Sequence, residues 1–256
     1  MKVVAVIPAH LSSVRFPRKI LFDILGLPMI EHVRRRALFS ENLDDVIVAT
    51  CDTEISDIVK SYGGKVIMTN NTHKDGTSRV AEAMKDYDCT HVLLLQGDEP
   101  LLLPKHIDSM VEAIKNNPSI KSWNATGAID SEDELNRNSF VKCSILGNNK
   151  ILSCFRRTPY VSALEIQKNF VRKILGIIGY RKDFLLDLNK LGNTPIETAE
   201  FIEQMRIIEN EFPLYSVDVS PSLPSVNEPH EVDAVLDCLK NNNEQKTLLK
   251  RVLSSE

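Results

Sequence analysis

Two stretches of this chain carry side chains whose types and spacing could do chemistry. The first is Pro8-Ala9-His10-Leu11-Ser12-Ser13-Val14-Arg15-Phe16-Pro17-Arg18-Lys19, which gathers three cations, a histidine and two hydroxyls into one loop stiffened by Pro17. Arginine offers a planar fork of donors and lysine a compact charge, a set that suits a polyphosphate. The plainer alternative is a solvated basic loop. The glycine spacings of a P-loop or a dinucleotide fingerprint are absent from it. The second stretch is Leu93-Leu94-Leu95-Gln96-Gly97-Asp98-Glu99-Pro100, an apolar run that ends in acid. A carboxylate at the mouth of a buried strand is costly unless it is used, and holding Mg²⁺ against phosphate oxygens is one use. Capping the turn before the next helix is the alternative. As a loop carboxylate Asp98 is expected to stand exposed, so that its removal costs little stability. Brought to one sheet edge, the two stretches form a nucleotidyl-transfer site, where positioning and charge neutralisation matter more than a nucleophilic triad.

The elements that must position these loops are legible as an alternation. Short apolar runs rich in β-branched residues, at Val3 to Ile7, Asp45 to Ala49, Lys65 to Met68 and His91 to Leu95, read as strands buried on both faces. Between them, Met29 to Phe39, Thr53 to Tyr62, Ser78 to Lys85 and Lys105 to Lys115 read as helices, which predicts a parallel sheet covered on both sides. Ligands of such sheets bind beyond the carboxyl ends of the strands, where both loops fall. Beyond residue 120 the alternation loosens. Trp123 to Ile129, Ser139 to Ile145, Lys150 to Phe155 and Lys173 to Tyr180 read as strands of an antiparallel portion or inserted subdomain. A helix is predicted from Thr194-Pro195 to about Glu209, a strand over Leu214 to Val219 and a last helix over Glu228 to Lys240, with a frayed surface helix after Asn241.

With 31 basic against 35 acidic residues the net charge is −4, which disfavours nucleic acid as a partner. No stretch reaches the roughly 18 apolar residues of a membrane span, and the N-terminal apolar run is too short for a signal sequence, so the compartment is read as the cytoplasm. The five cysteines are scattered, without the spacing of a zinc site, and read as reduced core residues. His32, His91 and His106 read as surface or packing residues, Trp123 as packing, and Arg34-Arg35-Arg36 as the solvated face of a helix.

In register and nearly end to end, these motifs resemble those of the cytidylyltransferases that make CMP-activated 3-deoxy-manno-octulosonate (KDO). The family's P-A-R-x-x-S-x-R-x-P-x-K is matched by Pro8, Ala9, Ser13, Arg15, Pro17 and Lys19. Its H-x-S-G-T-x-R resembles His73-Lys74-Asp75-Gly76-Thr77-Ser78-Arg79, and Gln96-Gly97-Asp98-Glu99-Pro100 is intact. Val141-Lys142, Arg157, Leu175-Gly176-Ile177, Gly179-Tyr180-Arg181, Pro195-Ile196-Glu197 and Glu203-Gln204-Met205-Arg206 resemble later family segments.

The resemblance implies a Rossmann-like, mostly parallel α/β sheet flanked by helices, of the nucleotide-diphospho-sugar transferase type. Residues 1–256 would then form one nucleotidyltransferase domain, with a smaller mixed or antiparallel second subdomain at about 140–200 for sugar binding and dimerisation. It implies transfer of CMP from CTP to a 2-keto sugar acid with release of pyrophosphate, for surface polysaccharide, by a homodimer using Mg²⁺. Lys19, Arg15 and Asp98 are implied at the reacting phosphates. Pro8, Ala9, His10, Ser13, Lys19, Asp75, Arg79 and Gln96 are implied around the nucleotide. Arg15, Gln96, Arg157, Tyr180, Glu203 and Gln204 are implied around the sugar, with Asp98 and Asn227 at the metal. The chain departs from the family at His10 (Arg there), at Asn227 (a metal-ligand Asp there) and at Ile174 and Ile178 (His and Tyr there). A neutral amide oxygen still coordinates Mg²⁺, with less charge, and Glu228 or Glu231 could make up the difference. The loss of polar partners leaves the acceptor as KDO, a relative, or a different compound that carries an acid and a nucleophilic hydroxyl. A nucleotide-binding relative without catalysis and a sugar-1-phosphate nucleotidyltransferase are the alternatives.

Overall fold

The structure, a computed structural model, describes residues 1–254. The apolar run at its start forms β1 (Val3–Ala9), followed by the small hairpin of β2 (Asp23–Ile24) and β3 (Leu27–Pro28). Then come α1 (Met29–Ala37), β4 (Asp45–Thr50), α2 (Thr53–Ser61), β5 (Lys65–Met68), α3 (Gly76–Met84), β6 (His91–Leu95), α4 (Pro104–Asn116) and β7 (Ser122–Gly127). The looser half holds α5 (Glu132–Asn136), β8 (Lys142–Ile145), β9 (Ile151–Phe155), α6 (Leu164–Gln167), β10 (Val171–Arg181) and α7 (Lys182–Leu188). The chain closes with α8 (Pro195–Glu200), α9 (Gln204–Glu209), β11 (Tyr215–Asp218), α10 (Val232–Asn241) and α11 (Asn243–Ser254).

One mixed sheet runs in the order β11-β7-β10-β6-β1-β4-β5, with β6, β1, β4 and β5 parallel. The long β10 lies antiparallel to β6 and β7, and its first residues pair with β8, which pairs with β9. The antiparallel portion is therefore an extension of the main sheet. The ladder between β10 and β7 shifts register between Ile174 and Ile178. Such irregularities bend a strand and re-aim its side chains, often beside sites. Parallel strands are covered on both faces: Ile7, Val48, Leu93, Leu95 and Met110 pack in one layer, and Val6, Ile47, Met84, Leu94 and Tyr180 in the other.

Four sequence expectations change. Arg34, Arg35 and Arg36 are buried rather than solvated, because the helix supplies its own counter-ion and its partner helix supplies carbonyls. Arg34 forks onto Glu31 at 2.7 Å twice, Arg35 donates to the Val252 carbonyl at 2.8 Å, and Arg36 donates to Gln245 Oε1 at 2.8 Å. The C-terminal helix α11 is accordingly docked, with Gln245, Leu248 and Val252 buried, and is no frayed tail. Gln245 Nε2 also donates to the Leu101 carbonyl at 2.8 Å, which braces the segment leaving Pro100. The single helix predicted to Glu209 breaks into α8 and α9 at Phe201, whose φ is 54°. Of the cysteines only Cys89, Cys143 and Cys154 are buried, while Cys51 and Cys238 are half-exposed.

His32 is fully buried, with Nε2 2.7 Å from the Ile24 carbonyl and Nδ1 unpartnered. Burial pulls its pKa from the ordinary 6.5 to about 4. A depressed folded-state pKa means full stability above 6.5, lost as pH falls toward 4, because the unfolded chain binds the proton first. Going from about pH 7 to about pH 5 should therefore remove about 2 kcal/mol through this group. Urea unfolding of the parent and of His32→Gln at the two pH values checks it, since the variant should lack that part of the loss; parallel losses would refute the assignment.

Candidate active site

The carboxyl end of β6 opens onto a cavity of about 250 Å³, which the loop after β1 reaches through Arg15. Its floor is the β6 exit, Gln96, Asp98 and Glu99; one wall is β10 with Lys173, Ile174 and Gly176; Arg15 and Asn227 close the side toward the first loop. Lys19, only 9% exposed, donates from Nζ to Asp98 Oδ2 at 2.5 Å and to the Val226 carbonyl at 3.1 Å. The Val226 amide donates to the Asp98 carbonyl at 2.9 Å, so the segment carrying Asn227 is laced to the β6 exit. The basic loop thus divides its cations. Lys19 enters the site, Arg15 stands at the rim with Nη2 3.5 Å from Asn227 Oδ1, and Arg18 turns away to pair with Glu54. Asp98 caps no helix, since Leu103 is the residue that precedes α4. Its side chain is 18% exposed and ion-paired, so the expectation of an exposed, dispensable loop carboxylate is corrected.

Two close approaches fix this floor. A Cβ on Gly176 would lie 2.7 Å from Glu99 Oε1 and 2.8 Å from Gln96 Cβ, and the Gln96 amide donates to the Gly176 carbonyl at 2.8 Å. A Cβ on Gly97 would lie 2.9 Å from Ile20 Cδ1, just beyond Lys19. Burial and the Asp98 charge push the Glu99 carboxyl up to about 7. Pro8 and Ala9 end β1, and desolvation with the Arg79 charge holds His10 below its ordinary value, so its ring is neutral at pH 7. Its Nδ1 lies 2.9 Å from Ser12 Oγ. Ser13, in the same loop, does not line the cavity.

Other sequence candidates sit one layer back. Asp75 caps α3 by accepting from the Ser78 amide at 2.6 Å and from Arg206 Nη2 at 2.8 Å, so both its oxygens are engaged. Arg79, 3% exposed, donates to Thr69 Oγ1 at 2.7 Å. Glu203 and Gln204 do line the cavity; Glu203 accepts from the Thr77 amide and hydroxyl at 3.1 and 2.6 Å, and Gln204 donates to Asn124 Oδ1 at 2.9 Å. Burial and the Asp75 charge raise the Glu203 carboxyl. Tyr180, expected at the sugar, is 1% exposed and outside the cavity, its hydroxyl 3.3 Å from Thr77 Oγ1 behind Glu203. Arg157 is exposed and outside it too, 3.3 Å from Asn138 Oδ1; its neighbour Arg156 instead holds the rim through the Glu200 and Phe201 carbonyls at 2.8 and 3.2 Å. Sequence reading missed Lys173, Phe140 and Glu99 in the lining. The first follows Arg172 at the start of β10, where two adjacent cations read as a strand terminus and gave no signal.

The donor set was also tested against a divalent cation. Among the described residues no three His, Cys, Asp or Glu side chains converge on a point. Mg²⁺ does not need them, because it binds through one or two protein oxygens with phosphates and water completing the octahedron. Asp98 and Asn227 are hard oxygen donors lining one cavity, and they fit that role. Glu231 spends Oε2 on the Asn227 and Glu228 amides at 2.6 and 3.0 Å, and Glu228 lies 3.5 Å from His230. Neither replaces the charge that an aspartate at 227 would bring.

Residues 4–217 match the protein family described as Cytidylyltransferase. The chain belongs to that family. It is 36% identical over 248 residues to the 3-deoxy-manno-octulosonate cytidylyltransferase of Fusobacterium nucleatum, covering 95% of this chain and 99% of that one. The enzyme of the same name from Geobacter metallireducens is 34% identical over 250 residues, covering 93% of this chain and 98% of that one. A solved CMP:2-keto-3-deoxy-manno-octonic acid synthetase complexed with CTP superposes with a TM-score of 0.87 at 33% identity, covering 94% of this chain and 99% of that chain. This cytidylyltransferase therefore has the Rossmann-like α/β fold with an antiparallel portion that its motifs implied.

Proposed function

We propose that this cytidylyltransferase transfers CMP from CTP to the anomeric hydroxyl of KDO or a close relative. The acceptor oxygen bonds to the α-phosphorus, the bond from that phosphorus to the bridging oxygen breaks, and pyrophosphate leaves. The observation that supports this most is the Lys19–Asp98 pair at the joined ends of β1 and β6, opening onto a cavity lined by polar and apolar groups alike. Lys19 and Arg15 neutralise phosphate charge, with His10 and the buried Arg79 behind them. Gln96, Glu203 and Gln204 orient the acceptor in a site with Phe140, Val141 and Ile178 in its apolar lining. Asp98 and Asn227 would hold a Mg²⁺ ion, which would supply further charge neutralisation at the phosphates.

The same reading places the protein in the cytoplasm, where CTP is made available, and in surface polysaccharide synthesis. Among the described residues no helix is long and apolar enough to cross a membrane. It treats the chain as one nucleotidyltransferase unit in which residues of about 140–200 serve sugar binding and the pairing of two copies. Leu152, Val161 and Ile166, large apolar side chains that stand exposed, all belong to that stretch.

Pyrophosphate release with Mg²⁺ and KDO, measured across CTP, ATP, GTP and UTP with a no-acceptor control, tests the proposal. Release only with CTP and KDO together is expected. CTP binding without release would instead favour a nucleotide-binding protein, for which the amide at Asn227 is the pertinent change.

A further inference from the structure

The cavity presents a problem of charge to an acid acceptor. Its lining holds three carboxyl groups, Asp98, Glu99 and Glu203, against two cations, Arg15 and Lys173. Arg15 is exposed on the first loop, beside the reacting phosphates. Lys173 is different in kind: it stands on β10, 8% exposed, across the cavity from that loop. Its Nζ lies 3.9 Å from the centroid of the Phe140 ring and 3.9 Å from Glu134 Oε1.

That separation from Glu134 is an ion pair without a hydrogen bond. Glu134 is meanwhile engaged at the start of α5, where its Oε2 accepts from the Asp130 amide at 3.0 Å. Among the described residues the Lys173 ammonium meets only the Glu134 ion pair and the Phe140 ring and makes no hydrogen bond, so its three donors are unspent. Burial pulls the ammonium below its ordinary value, while Glu134 and Glu99 work to keep it charged. A largely buried cation with free donors at a cavity wall is an anion site, because a charge-assisted hydrogen bond there is stronger than a neutral one and meets less competition from water than at an open surface. The cation–π contact with Phe140 fixes where the charge sits.

We infer that Lys173 binds the carboxylate of the acid acceptor, a role that rests on the proposed reading of this cavity. The triphosphate has its own cations at the β1 exit, and Lys173 lies beyond them beside Phe140, Val141 and Ile174. The ammonium thereby offsets the three carboxyl groups that the acceptor meets and selects acids over neutral sugars.

The test is calorimetric titration of the full chain with KDO and with its C1 carboxamide, in the parent, Lys173→Met and Lys173→Arg, with CTP titrated separately. The parent should prefer the acid by about 10- to 100-fold. Lys173→Met should erase that preference without changing CTP affinity, and Lys173→Arg should restore most of it. Thermal unfolding of the two variants should be alike, which separates lost binding from lost structure. An unchanged acid-to-amide ratio in Lys173→Met overturns the inference, as does weakened CTP binding with KDO unaffected, which would assign the ammonium to nucleotide phosphates. If the parent binds CTP but neither KDO nor its amide, the proposed function falls first and this role with it.

Discussion

Asp98→Asn is expected to cut pyrophosphate release from CTP by about 10³-fold while moving the melting temperature by no more than about 4 °C. The asparagine keeps an oxygen for Lys19 Nζ, now 2.5 Å from Asp98 Oδ2, so the contact that ties the first loop to the β6 exit survives. What disappears is the negative charge facing Lys19, the charge that would also hold the proposed Mg²⁺. Asp98→Ala is the harsher change. It leaves Lys19, largely buried, with only the Val226 carbonyl at 3.1 Å, and should cost about 2–3 kcal/mol in addition to activity. Comparing the two by pyrophosphate release and by urea unfolding separates the chemical role from the structural one. An Asp98→Asn enzyme with parental turnover would remove Asp98 from the metal.

The difference between those two variants also marks what a sequence can and cannot carry. That Asp98 sits at the end of a buried strand follows from the apolar run before it, because strands covered on both faces must be apolar throughout. The same logic locates β1, β4 and β5. That Asp98 is paired with a lysine 79 positions earlier depends on two strand ends becoming neighbours, a consequence of sheet order that no local pattern encodes. The arginines of α1 illustrate the point from the other direction. Three adjacent cations have no reason to be buried until Glu31 on their own helix and the carbonyls and amide side chain around them, including those of α11, are in place.

Site residues follow the same division. Family motifs placed Lys19, Gln96, Glu203 and Gln204 near one another, and the structure brings them around one cavity and the pair at its mouth. Tyr180 and Arg157 belong to matching segments as well, yet Tyr180 lies further along β10 in the core and Arg157, in the bend after β9, stands exposed. Tyr180 faces the layer that holds Leu94 and Phe184. Lys173 was invisible for another reason: beside Arg172 it reads as one of two cations at the start of a strand, and its place in the cavity wall emerges only once β10 is paired into the sheet.

Arg206→Met should be the most destabilising single change among the polar residues, at about 3–5 kcal/mol. The guanidinium is 4% exposed and holds two carboxylates from different helices, Asp75 through Nη2 at 2.8 Å and Glu197 through Nε at 3.0 Å. Both acids are themselves caps, Asp75 for α3 and Glu197 for α8, so one cation anchors two helix N-termini. Removing it leaves two largely buried carboxylates with backbone amides but without a cation. For Asp75, burial works to raise the carboxyl, but hydrogen bonds from Ser78 and Arg206 outweigh it and hold the group below its ordinary range. In the parent this contribution is full above the ordinary value and is lost as pH falls through the lowered one. Without Arg206 the burial effect on Asp75 acts with one fewer opponent, its carboxyl rises, and the variant gains relative to the parent as pH falls. Urea unfolding of parent and variant at about pH 7 and about pH 4.5 should therefore give a gap that narrows in acid. Arg206→Lys should recover only part of it, because an ammonium cannot fork onto two carboxylates in a fixed plane. A gap that stays the same at both pH values would mean that the cost comes from lost packing, with the charges of Asp75 and Glu197 relieved in some other way.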